Sequence, residues 1–165
     1  MTARILVPPM LATLVQTGIL AVDGHEFSRP PANCPGCGGP LSGYDSRVRR
    51  FALVADENGH RAVDVTVRRF RCGDCGRIVQ AVAPFYPDTR LGAPIVDLCR
   101  TLSLEMPVNR AARVMEALGI IVDRGTVRNY AALDFGPVST TSIFGLTLPS
   151  SVLSLSLIAL RPDQS

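Results

Sequence analysis

Four of the five cysteines fall into two pairs of equal spacing, Cys34 and Cys37 in "CPGC" and Cys72 and Cys75 in "CGDC", each followed by a glycine. A CxxC turn aims two thiolates at one point, and four thiolates satisfy a tetrahedral metal ion. The 34 residues between the pairs exceed the common separation of about 15–20 residues. The excess reads as a hairpin: "RRFALVA", the turn "DENGH", then "RAVDVTVRRF", where Val63, Val65 and Val67 alternate with Asp64, Thr66 and Arg68. A hairpin returns its ends to one place, so the pairs can meet. A third strand is expected over Ile78 to Val82. A closed set of four cysteines leaves no position for water, so the expected cofactor is structural Zn2+, with all-thiolate iron as the competitor.

Length and composition limit the rest. With 165 residues, 47% hydrophobic but only 5% aromatic and without Trp, the chain suits several modest cores. The N-terminus lacks the charged start, apolar run and cleavage site of a secretory signal, and residues 11–22 are too short to span a bilayer. A cytoplasmic protein without a membrane partner is expected, and in that reducing compartment paired cysteines point to metal. Cys99, alone on an apolar helical face, reads as a small buried hydrophobe. His25 and His60 read as surface residues in turns.

The net charge is only +3, but all 17 basic residues are Arg, whose planar fork suits phosphate and guanine. Genomic base composition is the competing explanation. Residues 47–77 hold eight arginines against Asp56, Glu57, Asp64 and Asp74, a surplus of four positive charges. Arg49, Arg50, Arg69 and Arg71 flank Phe51 and Phe70 on the two main strands and could follow a phosphate backbone. The competing reading is a solvated face with cross-strand ion pairs.

Four segments are expected: a helix and hairpin over 1–32, a zinc ribbon over 33–86, a three-helix unit over 90–134, and a tail over 135–165 of strands or a truncated domain. In the first, Leu11, Leu14 and Val15 follow Pro8 and Pro9 at helical spacing, and "GILAVDGHEF" reads as a hairpin. In the third, Ile95, Leu98, Cys99 and Leu102 share one face, while Val108, Ala111, Ala112, Met115 and Leu118 share another. Gly119 marks a break and Asp123 an N-cap. The last helix divides into Val127, Tyr130, Ala131 and Asp134 on one side and Gly125, Arg128, Asn129 and Ala132 on the other, with Arg124 beside its start. The fold class is therefore α+β, a small antiparallel zinc ribbon followed by a helix-turn-helix unit.

"NRAARVMEALGIIVDRGTVRNYAA" resembles the helix-turn-helix of transposases, and "RRFRCGDCGR" with "PFYPDTRLGAPIVDLC" is similar to their zinc-ribbon lead-in. The resemblance covers roughly residues 33–133. It implies recognition of double-stranded DNA, zinc on Cys34, Cys37, Cys72 and Cys75, and base contacts from Arg124, Arg128 and Asn129. The chain departs from such enzymes after Asp134: residues 135–160 carry no carboxylate, and Asp134 and Asp163 cannot replace a catalytic carboxylate triad. The expectation is a non-enzymatic DNA-binding protein, alone, as a homodimer or with a separate catalytic chain. The alternatives are a transcriptional regulator of the same build and a protein-interaction module. The uncharged run over 143–160 alternates Leu with Ser and is expected as a half-buried strand.

Overall fold

A computed structural model describes residues 7–155. Helix α1 (Pro9–Val22) leads into β1 (Glu26–Phe27), and the long pair β2 (Leu41–Asp56) and β3 (Gly59–Cys72) follows. The valine alternation holds: Val63, Val65 and Val67 are buried. Asn58 donates its backbone N–H to Asp56 Oδ1 at 2.8 Å, and Gly59 takes φ +111° in the closing turn. β2 pairs antiparallel with β3, with register shifts between Gly43 and Asp45 and between Arg50 and Ala52 that bend the ribbon. The other edge of β3 carries β1 in parallel and β4 (Ile78–Gln80) antiparallel, completing a four-stranded sheet.

The hairpin expected across "GILAVDGHEF" does not form. Its apolar residues extend the helical stripe begun by Leu11 and Val15 to Ile19 and Val22, and all four are buried. The turn at Gly24 (φ +77°) then admits only a two-residue strand that pairs with β3. Leu14 falls off that stripe and is exposed.

Three helices follow: α2 (Ala93–Glu105), α3 (Val108–Ala117) and α4 (Arg124–Ala131). Ile95, Leu98, Cys99 and Leu102 are buried as their spacing requires, and burial pushes the Cys99 thiol up to about 12. α3 stops at a glycine cap: Gly119 is left-handed (φ +82°), its N–H donates to Glu116 O, and Ile120 N–H reaches Met115 O. The turn after it is stitched to the sheet, with Ala55 N–H donating to Gly119 O and Ile121 N–H to Leu53 O. Asp123 begins α4 by accepting from Thr126 N–H at 2.7 Å.

The tail departs from the single expected strand. β5 (Thr140–Ile143) and β6 (Leu146–Pro149) form a hairpin, and Ser150–Leu153 form a short helix, α5. Positive φ at both Phe144 and Gly145 makes the two-residue turn whose twist suits a hairpin. Pro149 lacks the N–H that would continue a ladder, and helix begins after it. Residues 156–160 of the expected strand, and Asp163, lie outside the described residues. Leu146, Leu148, Val152 and Leu155 join a buried cluster that also includes side chains of α1, α2, α3, α4 and the sheet. A polar link reinforces it: buried Asp97 accepts from Tyr86 Oη at 2.6 Å and Ser151 Oγ at 2.8 Å. No helix among the described residues is long and apolar enough to cross a membrane.

Gly92 tests this packing. A Cβ there would sit 2.4 Å from Cε2 of Phe51, whose ring is fully buried and has no room to retreat. Gly92→Ala is expected to lower unfolding free energy by about 1–3 kcal/mol in urea titration, the usual cost of overpacking.

Candidate metal centre and arginine surfaces

Cys34 and Cys37 occupy the loop before β2, Cys72 ends β3, and Cys75 lies in the turn before β4. The two loops are built alike. Gly38 N–H donates to Cys34 O and Gly76 N–H to Cys72 O, with φ of +76° and +74° at the two glycines. The hairpin between them brings all four sulfurs within 4.8 Å of one another. Cys34 Sγ lies 3.7 Å from Cys75 Sγ, and Cys37 Sγ lies 3.4 Å from Cys72 Sγ. A tetrahedron with metal–sulfur bonds of about 2.3 Å has edges of about 3.8 Å, so the four cysteines could hold one metal ion. None of the chain's five cysteines is in a disulfide.

The local fields favour thiolate at two of the four. Backbone N–H groups of Cys37 and Gly36 lower the Cys34 thiol, and those of Cys75 and Asp74 bring Cys72 to about 7 despite burial. At Cys37 the Gly39 N–H also pulls downward, but the Cys72 and Cys75 sulfurs outweigh it and push the thiol up to about 12. Sulfurs crowded in this way compete for protons until a cation shares their charge.

The arginines expected along the ribbon divide into held and free. Arg49 donates to Gln80 Oε1 at 3.1 Å and to the Thr89 carbonyl at 2.8 Å, and its guanidinium lies 3.9 Å from the centre of the Phe85 ring. Arg50 pairs with Asp64 at 2.9 Å, and Arg69 pairs with Asp45 through two hydrogen bonds. Arg69 holds the Asp45 carboxyl below the ordinary carboxylate range. Arg71 is exposed and has no side-chain partner among the described residues, and Arg47, also exposed, makes no side-chain hydrogen bond there and acts on Asp45 only through its charge. Sequence reading missed this division because it depends on register: Asp64 stands opposite Arg50 and Asp45 opposite Arg69.

On α4, Val127 and Tyr130 are buried, while Arg128 and Asn129 are exposed without partners among the described residues. Arg124 donates to Asn109 Oδ1 at 3.2 Å, tying the start of α4 to α3. Asp134, expected on the same side of the last helix as Val127 and Tyr130, is exposed beyond the helix end and accepts from Gly136 N–H. His25 is half-buried with its ring 4.6 Å from Phe27, whereas His60 is exposed as expected. The charge of Arg110 and Arg113, exposed on α3, joins that of α4. Their helical offset from the buried Ala111 and Val114 was the available signal. Comparison with known proteins finds no matching family model, no matching curated protein and no matching solved structure.

Gly39 offers a test of the sulfur cluster. A Cβ there would lie 2.9 Å from Cys72 Sγ and 2.7 Å from the Asp74 carboxylate. Gly39→Ala should weaken metal affinity by about tenfold, read by chelator competition, because it displaces a ligand and its neighbour. The start of α4 carries a pH signature. The Thr126 N–H and then its hydroxyl depress the Asp123 carboxyl, so the cap's contribution is present above the ordinary carboxylate range and is lost as pH falls through the depressed value. Exchange protection of the Thr126 amide, corrected for intrinsic rate, should follow that course and vanish in Asp123→Ala at every pH.

Proposed function

We propose that this chain is a zinc-holding, DNA-binding protein, similar in build to the non-catalytic recognition part of a transposase. α3, the capped turn at Gly119 and α4 act as a helix-turn-helix, and α4 enters the major groove. The observation that carries this reading is the pair Arg128 and Asn129, adjacent, exposed and without partners among the described residues, on the side of α4 opposite buried Val127 and Tyr130. A side chain with no intramolecular partner gives up no internal bond when it meets a base edge. Arginine matches guanine O6 and N7, and asparagine matches adenine N6 and N7.

Arg110 and Arg113 on α3 and Arg124 at the start of α4 supply phosphate contacts that fix the register. The metal is zinc, held by Cys34, Cys37, Cys72 and Cys75. Its role is to fasten the ribbon, because four thiolates leave no site for a substrate. The reading is of binding alone, in the cytoplasm, with no catalytic step assigned.

The test is fluorescence anisotropy of zinc-loaded protein against duplexes selected from a random pool, at several salt concentrations. Binding should weaken linearly in log salt, and Arg128→Ala with Asn129→Ala should cost about tenfold or more for the selected site but little for random duplex. Equal loss on both would make these residues phosphate contacts, and salt-insensitive or absent binding would remove the reading.

A further inference from the structure

A cleft of about 700 Å³ opens between the sheet and the loop over residues 81–89, and α4 does not line it. Its sheet wall carries Arg47, Arg49 and Arg69, with Gln80 beside them, and Phe85, Tyr86 and Asp88 face them from the loop. The volume suits a ligand of nucleotide size.

Arg49 is the unusual group. It is half-buried opposite Val65, and its partners are an amide oxygen, a backbone carbonyl and an aromatic face, none of which neutralises it. A guanidinium has five N–H donors, and these contacts leave several unspent. Desolvation pulls its pKa down, the direction expected of a cation short of counter-charge. Arg47, two residues away on the same strand, is exposed and makes no hydrogen bond or close ion pair among the described residues, although its charge acts on Asp45 at longer range. Arg69 is already neutralised by Asp45, and Asp88 is the carboxylate in the lining, so the cleft keeps one net positive charge.

The loop wall is fixed. Thr89 is buried and donates its hydroxyl to Tyr86 O, Tyr86 donates to Asp97, and Tyr130 Oη accepts from Arg90 N–H. Tyr86 stacks on Phe135 at 4.3 Å, and one face of Phe85 is taken by Arg49. The aromatic rings are thus occupied, and base stacking is not what the cleft offers. What it offers is a preorganised guanidinium with open donors beside a second, exposed arginine.

We propose that this cleft is a phosphate-binding site in which Arg49 is the fixed half of the grip and Arg47 the closing half. The ligand is a phosphate ester, borne by a nucleic-acid strand or by a free nucleotide. The site is separate from α4 and does not depend on duplex reading there.

The experiment follows the Nε–Hε signals of Arg47 and Arg49 by NMR in the full, zinc-loaded chain. Three probes are titrated: inorganic phosphate, adenosine 5′-monophosphate and a short single-stranded DNA. Saturable shifts at both arginines are expected, and Arg47→Glu should weaken the affinity read at Arg49 about tenfold or more, as loss of a charge-assisted contact does. Arg47 is exposed and makes no hydrogen bond among the described residues, and its charge acts on Asp45 only at longer range, so thermal melting checks that this variant keeps the fold, as it does for the second, Arg49→Gln. Tighter binding of the strand than of the nucleotide assigns a backbone phosphate, and the reverse assigns a free nucleotide. No saturable shift, an unchanged affinity in Arg47→Glu, or equal loss in Arg128→Ala overturns the proposal. A duplex-binding failure with the shifts intact would sink the reading of α4 and leave the cleft standing.

Discussion

The antiparallel pairing of β2 with β3 is the constraint on which everything else depends. Fourteen residues of β3, at about 3.3 Å each, span about 45 Å, with the sulfur cluster at one end and the turn after α3 at the other. Sulfurs separated by 34 residues of sequence meet because the ladder returns the chain to its starting point. The same ladder presents Leu53 and Ala55 to the backbone around Gly119, so the approach to α4 is fastened to the far end of the sheet. The sulfur cluster and α4 are both fastened to this strand pair, and a second link runs from β4 through the following loop, where Arg90 N–H donates to Tyr130 Oη of α4. A cation binding four sulfurs offsets the entropy of closing the ribbon's open end, where β2 is exposed and has little core behind it.

Charge follows the same geometry. Register places Asp64 against Arg50 and Asp45 against half-buried Arg69, and solvent-accessible cross-strand pairs contribute little stability. Their consequence is subtraction. Three of the eight arginines of residues 47–77, Arg50, Arg61 and Arg69, are spent on carboxylates of the fold, and what remains for a partner sits at Arg47, Arg68, Arg71, Arg77 and the uncompensated Arg49. The outer surfaces of α3 and α4 hold a second, separate group. A protein with modest net charge therefore presents two local cationic surfaces, one near a cleft and one on a helix.

Local signals were legible in the sequence and pairings across distance were not. The CxxC turns, the valine alternation of β3, the glycine stop after α3 and the Asp123 cap each depend on a few neighbouring residues, and each takes the expected form. "ILAV" was misread because four apolar residues fit a strand or a helix equally, and only the stripe from Leu11 to Val22 resolves the period. Arg49 could not be read as held, since Phe85 and Thr89 reach it from a loop about 40 residues away. The tail was opaque for the same reason: Ser151 owes its place to Asp97, 54 residues earlier. Its apolar residues Leu146, Leu148, Val152 and Leu155 are buried in a hairpin and short helix that pack against α1 and α2 rather than in one long strand.

X-ray absorption at the zinc edge of protein purified without added metal reaches the central claim most directly. The expected result is one zinc per chain with four sulfur neighbours at about 2.3 Å and no nitrogen or oxygen in the shell. An absent metal, or a shell containing oxygen or nitrogen, would contradict the closed four-thiolate centre and with it the fastening of the ribbon.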